Sequence, residues 1–157
     1  MMTGKKTVFF VDYLMARQKS RYKLHENYAM TSEERNELGG QILDSCIEVH
    51  RILGPGLLES VYANALKKEF ELREIEAKSH VSVPLVYKGF ETDKAFQLDI
   101  LVQDEIIIEI KAVEFMLPVF TSQLVSYLKL TGKPLGYLVN FNEVLLKNGF
   151  KRIVLKY

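Results

Sequence analysis

Three charged side chains in one stretch could do chemistry together: Asp99, Glu109 and Lys111. They lie in Gln97-Leu98-Asp99-Ile100-Leu101-Val102, Gln103-Asp104-Glu105 and Ile106-Ile107-Ile108-Glu109-Ile110-Lys111. Two apolar, β-branched runs around a short polar break predict a hairpin with a three-residue loop. Pairing Val102 with Ile106 sets Asp99 across from Glu109 and Gln97 across from Lys111. Directly opposed residues have Cβ atoms roughly 4.5–5.5 Å apart, and like charges there destabilise the pair. A divalent cation between the carboxylates removes that cost, since hard cations such as Mg²⁺ take carboxylate oxygens. The competing reading is an ordinary solvated sheet face, with Glu109 and Lys111 as an exposed pair. On the chosen register Leu98, Ile100, Val102, Ile106, Ile108 and Ile110 share the core face, and Gln97, Asp99, Glu109 and Lys111 share the other.

The elements around the hairpin follow from hydrophobic period and stop signals. Thr31-x-x-Glu34 has the spacing of a capping box, and Leu38, Ile42, Cys46, Val49 and Leu53 recur at helical spacing after it. Gly54-Pro55-Gly56 ends that helix. A second helix is predicted from about Leu58 to Leu72, with Glu59, Tyr62 and Leu66 on its inward face. Glu59 in a first turn also needs no role beyond meeting the helix dipole. His80 to Tyr87 alternates and contains Pro84, which marks an edge strand or bulge. Lys88-Gly89 is a turn, and Phe90 begins the return towards the hairpin. Pro118 suits the first turn of a third helix striped by Phe120, Leu124, Tyr127 and Leu128. Gln123 and Tyr127 lie one turn apart on one face of it. Leu135 to Phe141 and Lys151 to Leu155 read as strands, and Asn142 to Gly149 connects them with room for one helical turn. This order gives an α/β or α+β fold with a mixed sheet, in which the crossover from Lys111 to Leu135 makes two strands parallel.

Size and composition bound the remaining choices. At 157 residues one domain is expected, with a core of useful size. The net charge of +1 gives no global basic signature for nucleic acid, so such binding needs a local patch. Cys46 is the single cysteine, which excludes an intramolecular disulfide and a cysteine metal cluster and fits a reducing cytoplasm. No apolar run approaches the roughly 18–20 residues of a membrane span. Lys5-Lys6 before Thr7–Val11 is a poor signal peptide, because Asp12 and then Arg17, Lys19 and Arg21 interrupt it. Residues 1–29 are basic and without clear period. They read either as an extension or as a short strand with a basic helix, and Met30 is then a candidate start of the domain at 30–157. His50 reads as packed near the Gly-Pro-Gly turn, and His80 as exposed. Lys67, Lys68, Lys147, Lys151 and Arg152 are either solvated surface or contacts for backbone phosphates.

Asp99, nine residues, then Glu109-x-Lys111 forms a larger pattern with Glu59 upstream and Gln123-x-x-x-Tyr127 downstream. It resembles the PD-(D/E)XK nuclease superfamily and, within it, the GxxExxY family, whose motif stands here as Gly56-Leu57-Leu58-Glu59-Ser60-Val61-Tyr62. The resemblance covers about residues 36–157. It implies a restriction-endonuclease-like α/β core of the αβββαβ type, a mixed central sheet flanked by helices. By position it implies Asp99 and Glu109 as metal ligands and Glu59 completing the acidic site. Lys111 orients or activates the attacking water, and Gln123 and Tyr127 help shape the site and contact nucleic acid. The implied cofactor is Mg²⁺ or Mn²⁺. The implied partner is nucleic acid, DNA in the first place, with no membrane and with room for a homodimer. Two positions differ from the family's usual pattern: Gln97 stands where Arg is frequent, and Phe120 where His is frequent. The alternative function is a catalytically silent module on the same fold that binds nucleic acid or protein.

Overall fold

The computed structural model describes residues 30–155, and within them the side chains of Asp93 and Lys94 are left aside. The expectation for residues 1–29 lies outside these. In chain order the elements are α1 (Ser32–Leu53), α2 (Glu59–Leu72), β1 (Ala77–Tyr87), β2 (Phe90–Val102), β3 (Ile106–Lys111), α3 (Pro118–Thr131), β4 (Leu135–Asn140), α4 (Leu146–Gly149) and β5 (Phe150–Val154). The strands form one sheet in the order β1-β2-β3-β4-β5. Its β3–β4 pair is parallel and the other pairs are antiparallel. The α3 crossover is the long connection that a parallel pair needs. No helix among the described residues is long and apolar enough to cross a membrane.

The central hairpin has the expected register: Val102 pairs with Ile106, Leu101 with Ile107 and Ile100 with Ile108. Its turn is closed by Glu105 N–H donating to Val102 O at 3.0 Å, with Gln103 and Asp104 both left-handed at φ 47° and 57°. Lys133 reaches across to donate to the Asp104 carbonyl and carboxylate, at 2.5 and 3.1 Å.

Neither face of the hairpin is an open polar one. All six residues of β3 are buried, Glu109 and Lys111 among them. Helices cover both faces of a parallel crossover, so its strands lose solvent on both sides. On one face α1 comes so close that a Cβ on Gly39 would sit on the Tyr137 hydroxyl. On the same face Tyr62 of α2 stacks on Phe141, with ring centroids 4.6 Å apart. On the other face Leu124 and Leu128 of α3 pack with Leu101, Ile107, Leu138 and Ile153. There Gly136 admits the Leu124 side chain, which a Cβ would meet at 2.9 Å. Leu98 joins this second cluster rather than the face of Ile100 and Ile108, contrary to simple alternation.

The reason lies one residue further on. The β1–β2 ladder pairs Ser79 with Ile100 and then Val81 with Leu98, skipping the level of His80 and Asp99. His80 is left-handed there, at φ 53°. The β2–β3 ladder also stops at Ile100 and Ile108, so Gln97 does not stand opposite Lys111. Its amide instead donates to the His80 carbonyl, at 3.5 Å. The strand irregularity that moves Leu98 to the other face also detaches Asp99 from both ladders.

Candidate active site

The end of β3 is where the fold collects its acidic groups. Because β2 leaves the ladder after Ile100, the Ile110 N–H has no strand partner on that side. Asp99 Oδ2 accepts it at 2.8 Å, so a side chain completes the edge that the backbone left open. One step further along, Glu59 Oε1 accepts the Ala112 N–H at 3.3 Å. Glu59 is the first residue of α2, and the preceding loop aims it. Gly56 takes φ 97°, a left-handed value that favours glycine. Tyr62 O–H donates to the Gly54 carbonyl at 2.6 Å and accepts from Leu57 N–H at 3.1 Å. The buried tyrosine therefore ties both ends of the loop that delivers Glu59.

Glu109 and Lys111 point to the α3 face, two residues apart and hydrogen-bonded at 2.8 Å. The Lys111 ammonium lies 5.1 Å from the centroid of the Phe120 ring, carried on the first turn of α3. Glu109 is 3% exposed, and its second oxygen, Oε2, is buried without a hydrogen-bond partner. Among the described residues Ser79 Oγ is the other buried side-chain oxygen in that state. Leaving a carboxylate oxygen so is costly. Burial, and next the charge of Asp99, push the Glu109 carboxyl up to about 7, against the pull of Lys111. For Lys111 burial works against the charge, but the hydrogen bond to Glu109 and the charges of Glu109, Glu59 and Asp99 outweigh it and raise the pKa. Three carboxylates thus act on one ammonium at one strand end.

The residues singled out in the sequence separate into two groups. Glu59, Asp99, Glu109 and Lys111 converge within electrostatic reach of one another. Among the described residues no three His, Cys, Asp or Glu side chains close into a preformed metal cage. Through Oε1 Glu59 holds the backbone just after β3. Gln123 and Tyr127 bond to each other at 2.8 Å, and Tyr127 stacks on Phe96 with centroids 4.6 Å apart. They brace α3 against β2 one turn beyond Phe120. His50 Nε2–H donates to the Glu143 carbonyl at 2.7 Å and so fastens α1 to the segment after β4.

Two structural residues of the site escape sequence reasoning. Tyr62 reads as one more core aromatic, although its place in the Gly56–Tyr62 motif is the signal that it shapes the loop. Asn140, fully buried, accepts from Val113 and Asn142 N–H through Oδ1 at 3.1 and 3.2 Å and donates to the Val113 carbonyl at 2.9 Å. It holds the chain leaving Lys111. A polar residue ending the apolar run Leu135–Val139 is the only mark it leaves in the sequence.

The donor chemistry fits a hard divalent cation. A half-buried and a buried carboxylate meet at a strand end, and one buried oxygen lacks a partner; Mg²⁺ is commonly held by one or two carboxylates with waters and substrate phosphates filling the rest. A sequence model of the PD-(D/E)XK nuclease superfamily matches residues 36–153, and the chain belongs to that superfamily. The five-stranded mixed sheet flanked by helices is the restriction-endonuclease-like core that membership implies. No curated protein and no solved structure matches the chain. Membership points to a nuclease, with nucleic acid as the substrate it implies and divalent metals as the superfamily's usual cofactors.

Proposed function

We propose that the chain is a metal-dependent nuclease of the GxxExxY kind that hydrolyses phosphodiester bonds in DNA. The observation that carries this reading is the partnerless Glu109 Oε2 beside Asp99 at the open end of β3. Asp99 and Glu109 would hold Mg²⁺ or Mn²⁺. When bound there, the cation neutralises charge on the phosphate and makes a water acidic enough to attack near neutral pH. Lys111, whose pKa is raised, stays protonated at neutral pH. It therefore works by charge and hydrogen-bond donation, orienting the attacking water and screening charge that develops on the phosphate. Glu59 acts as a positioning residue through the Ala112 N–H, fixing the strand end on which Glu109 and Lys111 sit. Gln123 and Tyr127 set the α3 wall along which the strand passes.

The test is cleavage of plasmid and of single-stranded DNA with Mg²⁺ or Mn²⁺, using the wild-type chain and Asp99→Ala. Metal-dependent cutting that vanishes in the variant supports the reading; no cutting with either metal on either substrate counts against it. A silent binding module on the same fold is favoured by one observation, the Phe120 ring over Lys111. It predicts no calorimetric Mn²⁺ binding, and nucleic-acid affinity that Asp99→Ala leaves unchanged.

A further inference from the structure

Beside the acidic strand end lies a cavity of about 450 Å³ that none of these roles uses. Its walls are Met116, Leu117, Thr121, Leu138, Asn148 and Lys151, from the start of α3, the middle of β4 and the α4–β5 corner. Leu138 is the register partner of Glu109 in the parallel pair. Paired residues of neighbouring strands share a face and stand roughly 4.8 Å apart, so the cavity wall at Leu138 lies one strand away from Glu109 on the same face. Met116, Leu117 and Leu138 give the cavity apolar walls. Thr121, Asn148 and Lys151 give its rim hydrogen-bonding groups, and Lys151 Nζ already donates to Thr121 Oγ1 at 3.1 Å. Phe115, next in the chain to the lining residue Met116 and on the segment that leaves Lys111, is 71% exposed.

We infer that this cavity is a nucleobase subsite, which makes an unpaired strand the preferred substrate. The inference rests on the nuclease reading for the phosphate that lies next to the base. Apolar walls suit the faces of a base, and a polar rim suits its edge. The volume lies within the range of about 300–1,000 Å³ found for small-ligand pockets, far too small for a duplex. A paired base reaches such a pocket only by unstacking, at a cost of a few kcal/mol. The near-neutral net charge points the same way. Duplex binding draws on many neutralised phosphates, whereas single-strand binding gains on the order of 1–3 kcal/mol from each stacked base.

The test is fluorescence anisotropy with the full chain in Ca²⁺, using three labelled probes of one length: an oligothymidylate, the same backbone with abasic units, and a blunt duplex. The expected result is oligothymidylate binding about tenfold tighter than either other probe. Thr121→Phe, which fills the cavity, should lose about tenfold of that affinity. Asn148→Ala, an exposed position that a folded chain tolerates, should lose about threefold. Equal affinity for the abasic strand, or wild-type affinity in both folded variants, overturns the base subsite. Cleavage in Mn²⁺ is scored separately. A chain that selects the oligothymidylate and cuts nothing keeps the subsite and loses the nuclease reading. One that cuts duplex and abasic strands as fast as oligothymidylate keeps the nuclease reading and loses the subsite.

Discussion

Strand β3 has an acid–base pair at each end, and the two differ in what they leave undone. At its start Glu105 meets Arg35 of α1 at 3.2 Å, with both side chains about a fifth exposed. Water shares the charge there, and the pair joins a turn to a helix. At its end Glu109 meets Lys111 at 2.8 Å with almost no exposure, two further carboxylates nearby and one oxygen partnerless. A partly solvated pair is worth at most about 1 kcal/mol. A buried carboxylate with an unmet acceptor is a cost that the fold carries, and such costs gather where a ligand completes the set. Contact distance alone would rank the two pairs as similar; burial and unmet hydrogen bonding tell them apart.

The sharpest way to break this contrast is to remove charge beside Glu109. Asp99→Asn should leave the chain folded and lower Mn²⁺-dependent cleavage about 10³-fold or more, roughly 4 kcal/mol of lost transition-state stabilisation. Steady-state rates against wild type decide it, and a variant within tenfold of wild type would remove Asp99 from the metal site.

Next comes pH. Glu109 has its folded pKa raised from an ordinary 4.5 to about 7. Between those values the folded chain binds more protons than the unfolded one, so metal-free stability should fall as pH rises from about 5 to 8. The loss is on the order of 2–3 kcal/mol. Lys111 titrates above this window and adds no slope within it. Urea melts across the window should show the decline in wild type and a flat profile in Glu109→Gln. A decline that persists in Glu109→Gln would assign it to other groups.

Smaller effects sharpen the picture at the loop and at the opposite strand end. Tyr62→Phe keeps the stack on Phe141 but loses the bonds to Gly54 and Leu57. It should cost about 1–2 kcal/mol by denaturant melt and slow cleavage to the level of Glu59→Gln, since both loosen one helix start. Smallest of all, Glu105→Gln should cost under about 1 kcal/mol and leave cleavage unchanged. A larger loss there would make the two ends of β3 equivalent after all.

Much of the fold was legible in the sequence because hydrophobic period and stop signals agree locally. The Val102–Ile106 register, the helix end at Gly54, the helix start at Pro118 and the parallel crossover all follow from such agreement. The faces of the hairpin were less legible. Alternation assumes an unbroken ladder, and the skipped His80–Asp99 level, set by tertiary pairing, moved Leu98 across the sheet. The same break gave Asp99 its bond to Ile110, so the four charged residues were identifiable while the device that positions one of them was not. Tyr62 and Asn140 were hidden for a related reason. Their work lies in hydrogen bonds to backbone groups brought near by folding; the motif spacing marks the position of Tyr62 but not those bonds.

Diffraction from a crystal soaked in Mn²⁺, collected for anomalous signal, tests the central claim most directly. The account predicts a peak within coordinating distance of Glu109 Oε2 and an Asp99 oxygen, beside Lys111. A chain that binds Mn²⁺ elsewhere, or shows no peak at the end of β3 at saturating metal, would contradict it.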